Sequence, residues 1–421
     1  MMKERDSYLL SEQENSSNIR GTDGIFRVPL ALWRANPNAF IPQFIPIGPV
    51  HGFHNSYGYD PIIRKMKFYF FRNFASTEVE LNKIVRLVIG CEKRATEFYK
   101  IDIRMGRAEF LESLILDCCF VVMYILSSVV PLFQDFEMSS FSWRFNDAIF
   151  RDMVLFENQL PFFLLQSLYE LCAFNNYRSI LGEFSFIQLT HKFFMAREGI
   201  GYLGKDFRVL HEDKLEVNHF VHFLSYYMNS LDHTRWRVGP SLAIWPPTAT
   251  ELYDYGISFE KKSHYSQKMF DERAGILRLP HIIINETFES MIRNIIAFEH
   301  CHRKRQVVSN FAIFMRFLLN SDNDVILLIK EGIIHNHLES TKGVTKLFHD
   351  LCENVVVETN LYNYECKRMR EYGKHRRHRW MASLKRDYFN TPWALISFIA
   401  AVVLLLLTLM QTVVAVLSMP K

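Results

Sequence analysis

From Tyr388 to Pro420 the chain carries no charged side chain, and no other feature restricts its fold as strongly. The centre of that stretch, Trp393 to Leu417, reads WALISFIAAVVLLLLTLMQTVVAVL. As a helix, these 25 residues reach roughly 37 Å at about 1.5 Å each, against a bilayer hydrocarbon core of about 30 Å. Ser397, Thr408 and Thr412 can bond their own helix backbone, whereas Gln411 is the one group that lipid penalises and a neighbouring helix would relieve. Pro392 suits a first helical position, and Tyr388 and Trp393 suit the headgroup interface. Core helices of soluble domains rarely run this far without a charge. The reading is therefore one transmembrane helix over residues 392–418, with Trp393, Leu404 and Leu417 marking its start, middle and end.

The flanks orient it. Between Lys367 and Arg386 there are nine Lys or Arg residues against one acid, Glu371. Arg376, Arg377, Arg379, Lys385 and Arg386 stand nearest the span, and only Lys421 follows it. The positive-inside bias places the large preceding domain in the cytosol. The expectation is a single-pass tail anchor in the plasma membrane or an endomembrane. The basic cluster serves equally as a solvated flank and as an attractor of anionic lipid headgroups. A second uncharged run, Cys118 to Gln134, is shorter, contains Pro131 and lies between Asp117 and Asp135, so it reads as a buried core helix.

Composition closes off several classes. With 49% hydrophobic residues and 37 Phe, the chain can bury a large core, which excludes a mainly disordered protein. Outside the basic segment the remainder is slightly acidic, so nucleic acid is not an expected partner. Seven cysteines form an odd set with no CxxC pair, and several sit in apolar runs, which points to reduced, buried thiols. The first residues, with Lys3, Glu4, Arg5 and Asp6, have no apolar core of a secretory signal.

The expected fold is mainly α: a large helical domain with a small β element near 256–284, plus the C-terminal transmembrane helix. Residues 1–24 read as a disordered tail. Residues 25–236 form a helical N-terminal lobe, led in by an extended stretch punctuated by Pro29, Pro37, Pro42, Pro46 and Pro49. In that lobe Ile149, Phe150, Met153 and Val154 share one helical face, with Arg151 and Asp152 opposite. Residues 237–387 form a C-terminal lobe. It opens with a linker-like stretch to Pro247 and a capping box at Thr248 and Glu251. Short strands follow at Gly256–Glu260, Gly275–Leu279 and His281–Ile284, then helices from about Thr287 to Lys385 that end in the basic juxtamembrane segment.

Catalytic and ligand motifs are weak. Gly199-Ile-Gly-Tyr-Leu-Gly204 matches GxGxxG, but a helix precedes it and Lys205-Asp206 follows, where a dinucleotide site needs a strand and an apolar helix. His219 and His222 share a helical face near His211 and His233 with no tight set of further ligands, and His300 and His302 point to different faces. There is no GxSxG, Walker, HExxH or kinase signature. Asn15 and Asn285 head glycosylation sequons that a cytosolic domain would leave unused. No catalytic residue, metal or cofactor is expected.

Several strings, in order, resemble the plant family defined by domain of unknown function 247. They are Ile25-Phe-Arg-Val-Pro29 with Pro46-Ile-Gly-Pro49 and His51-Gly52, Leu116-Asp-Cys-Cys-Phe120, and Phe156-Glu-Asn-Gln-Leu-Pro-Phe-Phe163. Pro247 to Leu252, Phe288 to Glu299, Asp324 to Leu328 with Gly332-Ile-Ile334, the Trp380 region and the terminal span continue the match. His51-Gly-Phe-His54 and His300 depart from the usual pattern. The resemblance implies a helical plant protein with a C-terminal span and no established activity; some members are linked to self-incompatibility in grasses. Within the most distinctive string, Glu157, Asn158, Gln159 and Pro161 read as a buried helix junction, with Glu157 bonded to backbone amides.

The expected function is that of a membrane-tethered, non-enzymatic interaction or recognition component, with the bilayer and an unidentified protein as partners. The alternative is an unrecognised membrane-bound enzyme such as a hydrolase, for which Glu157, His51 or His222 would have to converge in a deep pocket.

Overall fold

The computed structural model describes residues 24–51, 61–75, 77–103, 105–130, 139–175, 184–197, 216–230, 244–262, 268–302, 305–338, 340–374 and 392–417. Residues 1–23 of the expected N-terminal tail, the GxGxxG stretch, His211, His233, the first part of the linker, and Arg376, Arg377, Arg379, Lys385 and Arg386 lie outside these residues. The fold is mainly α, with fifteen α-helices and five short strands among the described residues.

The apolar run around Cys118 organises the first half. It forms most of α4 (Arg107–Val129), and four helices pack on it: α2 (Pro61–Phe74), α3 (Glu78–Phe98), α6 (Phe162–Asn175) and α7 (Phe186–Met195). Residues Cys118 to Leu126 are all buried, so this helix needs no lipid to cover it. α3 starts where Thr77 and Glu80 cap each other's backbone amides, and α7 starts likewise at Ser185 and Gln188. The lead-in departs from a wholly extended chain. Between Pro29 and Pro37 it winds into α1 (Leu30–Ala35), since those residues lack proline; the helix stops at Asn36, which Pro37 keeps out of the α region.

α5 (Ser139–Met153) corrects a second expectation. Arg151 and Asp152, placed opposite the apolar face by helical spacing, are buried, because the lead-in covers that side too. α8 (Phe220–Ser230) then passes to the second half, where α9 (Ala249–Asp254) begins at the Thr248–Glu251 capping box.

Three short strands follow as one sheet, β1 (Ser258–Lys261), β2 (Phe270–Asp271) and β3 (Ile276–Leu279), in the order β1-β3-β2. β3 runs parallel to β1, with Phe259 opposite Leu277, and antiparallel to β2. Beyond Pro280, β4 (Ile282–Ile284) pairs in parallel with β5 (Ile334–Asn336), a strand that interrupts the expected helical run. Between them lie α10 (Glu286–His302), α11 (Val307–Leu318) and α12 (Asp322–Lys330); α13 (Thr341–Leu351) and α14 (Asn363–Lys374) complete the half. α10 is the second centre. It contacts α5, α8, α11, α13 and β4, and one continuous apolar core runs from Ile25 to Tyr372 across both halves.

α15 (Pro392–Leu417) is a helix over the stretch expected to span, long and apolar enough to cross a membrane. In Ile396–Val414 none of the helix is buried, whereas 78% of the comparably apolar stretch in α4 is. Trp393 and Leu404 are exposed, and Leu417 closes the helix.

Candidate functional site

The most elaborate arrangement of polar side chains is the seam where the lead-in, residues 25–51, lies over the junction between α5 and α6. A lead-in with little secondary structure has backbone amides that need partners once buried. Side chains of the junction supply them. Asp152 accepts the amides of Gln43 at 3.0 Å, Phe44 at 2.7 Å and Ile45 at 2.8 Å, and also the Arg151 guanidinium at 2.8 Å. Burial pushes its carboxyl above the ordinary carboxylate value, against the pull of those amides and of Arg151. Arg151 reaches onward to the carbonyls of Ile41 and Asn38.

The four residues singled out in the sequence continue the seam. Glu157 accepts the Val28 amide at 2.8 Å on one oxygen and the Arg27 guanidinium at 2.9 Å on the other, with His51 Nε2 at 3.8 Å. Asn158 accepts the Ile47 amide at 2.6 Å and donates to the carbonyls of Ile45 and Asp152. Gln159 turns inward, donating to the carbonyls of Met153 and Leu155 at 2.7 Å each and accepting from the Val221 amide at 3.4 Å. Pro161 precedes α6, whose first amide, Phe162, is satisfied by the carbonyl of Asn218 at 2.7 Å.

Asp117 extends the seam from α4. It accepts the Gly48 amide at 2.8 Å and pairs with Lys67, which also donates to the Pro46 carbonyl at 2.7 Å. Gly48 has φ +72°, and a Cβ there would stand 2.7 Å from the Gln159 carbonyl oxygen, so side-chain-free backbone is required. From α10, Asn294 accepts the Phe156 amide at 2.7 Å and donates to the Ala39 carbonyl at 2.8 Å. Asp117, Asp152 and Asn294 had no assigned role in the sequence. The available signal was a polar residue inside an apolar run, as in Leu116-Asp-Cys-Cys-Phe120.

Charge-assisted bonds to backbone, fully desolvated, hold a loop in one register. The same device recurs at Glu299 on α10, which accepts the amides of Val308 and Ser309 and the Ser309 hydroxyl. Burial lifts its carboxyl to about 7, opposed by those donors. On α12, Asp324 accepts from the amides and hydroxyls of both Thr250 and Ser321.

The histidines come together differently. His219, His222 and His302 cluster around Phe298, with His219 and His302 ring centres 6.3 Å apart. His219 Nδ1 accepts the His222 amide, and His302 lies between the carbonyls of Phe298 and Gly24. Among the described residues, no group of three or more His, Cys, Asp or Glu is placed to hold a metal ion. Cys118 and Cys366 are buried thiols and Cys301 a half-buried one, and desolvation pushes all three well up, away from the reactive thiolate. A small cavity lies elsewhere, lined by Met228, Met269, Val307 and Phe311 with Lys262 and Arg278; Glu157, His51 and His222 do not line it.

A model of the plant protein family of unknown function DUF247 matches residues 25–407. The chain belongs to this family. Among its relatives, UPF0481 protein At3g47200 of Arabidopsis thaliana is 26% identical over 425 residues, covering 94% of this chain and 86% of the relative. Putative UPF0481 protein At3g02645, also of Arabidopsis thaliana, is 24% identical over 171 residues, covering 39% of this chain and 32% of that one. No solved structure matches. Several of the strings that carried the DUF247 resemblance meet at the seam. Residues 25–29 and 46–49 bring amides and carbonyls, Phe156 to Phe163 brings acceptors, and Phe288 to Glu299 brings Asn294.

Proposed function

We propose that this DUF247 member is a single-pass, membrane-tethered recognition protein that acts by binding rather than by chemistry. The observation that carries the reading is the contrast between its two long apolar helices. α4 is covered by four other helices, whereas α15 has no protein cover along Ile396–Val414. An uncovered apolar helix of this length is stable only in lipid or against another such helix. The basic residues ahead of it favour a cytosolic position for the large domain, at the plasma membrane or an endomembrane.

Tethering confines a domain to a surface and raises its effective concentration toward partners on the same membrane. The seam supports the reading from the other side: its carboxylates are committed to backbone donors, which suits a rigid scaffold. The partner is a protein. One setting is the discrimination of self from non-self in reproduction, the role linked to some members of the family.

Proximity labelling tests this in the protein's own tissue, with the full chain compared to one ending at Asp387. The proposal expects a defined set of membrane-associated neighbours that the shortened chain loses. Identical neighbour sets would remove the tether from partner choice and contradict it.

A further inference from the structure

The last helix before the span, α14, has two unlike faces. Cys366, Met369, Tyr372 and Gly373 are buried against the domain. Lys367, Arg370 and Lys374 are exposed on the opposite side, with Tyr364 and Glu371 at its edge. Arg368 does not join them, because its guanidinium is held by Glu272 at 2.7 Å. Arg370 donates to the Trp245 carbonyl at 2.9 Å, which brings a second feature to the same place. The Trp245 ring stacks on Phe317 with centres 5.5 Å apart and planes within 8°, and Phe317 and Tyr364 remain 41% and 47% exposed.

Basic side chains interleaved with half-exposed aromatics match the headgroup layer of an anionic bilayer, where cations meet phosphate and carboxylate and aromatic rings sit at the apolar boundary. Chain length allows the contact. Residues 375–391 separate α14 from α15, and seventeen residues extend at most about 60 Å. The intervening text adds Arg376, Arg377, Arg379, Lys385 and Arg386 against one acid, Asp387, so the charge between face and span favours the approach.

We infer that the Lys367–Arg370–Lys374 face of α14, with Phe317 and Tyr364 beside it, rests on anionic lipid headgroups and fixes how the domain sits on its membrane. This rests on the membrane anchor proposed above. Its consequence is orientation: docking through this face would turn a fixed side of the domain toward other proteins.

The test uses the full chain in nanodiscs of phosphatidylcholine alone and of phosphatidylcholine mixed with phosphatidylserine. Lysine acylation is read residue by residue by mass spectrometry. Lys367 and Lys374 should label at least about threefold more slowly in the anionic discs, and high salt should abolish that difference, as expected for screened headgroup contacts. The exposed Lys83 and Lys93 of α3 should label alike in both. Equal labelling of Lys367 and Lys374 in the two discs, with the chain still disc-bound, would overturn the docking face and leave the anchor standing. Failure of the chain to enter either disc would overturn the anchor and this inference together.

Discussion

Glu157 and Val28 lie 129 positions apart, and the carboxylate of the first accepts the amide of the second at 2.8 Å inside the protein. That single bond ties the start of the lead-in to the α5–α6 junction. The Arg27 guanidinium, 32% exposed, holds the other oxygen of the buried carboxylate. Removing the carboxylate strands the buried Val28 amide, which costs more than the bond itself contributes, while Arg27 can turn to water.

Glu157→Ala is therefore expected to lower unfolding stability by about 2 kcal/mol, with a smaller loss for Glu157→Gln, which keeps an acceptor for Val28. Urea unfolding in detergent, with proteolysis near Arg27 as a local reporter, measures both. A change within about 0.5 kcal/mol for the alanine variant would remove Glu157 from the account of the seam.

Two glycines separate backbone strain from close approach. Gly48 and Gly332 have φ of +72° and +70°, but only Gly48 has a neighbour, the Gln159 carbonyl, where a Cβ would fall. Gly332→Ala should cost about 1–2 kcal/mol from the left-handed backbone alone. Gly48→Ala should cost clearly more, because the lead-in must also move away from Gln159. Equal costs in paired thermal unfolding would show that the approach at Gly48 relaxes freely.

Glu299 makes stability depend on pH in a stated direction. In the folded protein its carboxyl holds a proton to about pH 7, against an ordinary value of 4.5. The folded state thus binds more protons between those limits, so this group's contribution is full below about pH 4.5 and is lost as pH rises to 7. The difference between wild type and Glu299→Gln should move in the variant's favour by up to about 3 kcal/mol from pH 5 to pH 8. Denaturant unfolding at the two pH values reads it, and a pH-independent difference would place the Glu299 pKa near its ordinary value.

Much of this architecture was legible in the sequence for physical reasons. The candidate span stood out by an absence of charge over a length sufficient to cross a bilayer. β1, β3 and β4 were legible from short β-rich runs broken by Gly256, Gly275 and Pro280. β5 was not, because Ile334-His335-Asn336 makes a strand only with β4, about fifty residues away. α1 was hidden by the prolines around it, and the burial of Arg151 and Asp152 by a covering segment that helical spacing does not register. At the seam, side-chain acceptors such as Glu157 can be read as buried polar groups. Their partners are main-chain amides, which every residue carries, so the pairing of Asp152 with Phe44 or Asn158 with Ile47 leaves no mark in either string.

The account turns on whether α15 lies in lipid. The direct measurement is alkaline carbonate extraction of membranes from cells that make the full chain, beside a chain ending at Asp387. The full chain should stay in the membrane pellet through the wash while the shortened one is released. Recovery of the full chain as a dispersed monomer in the carbonate supernatant would contradict the account.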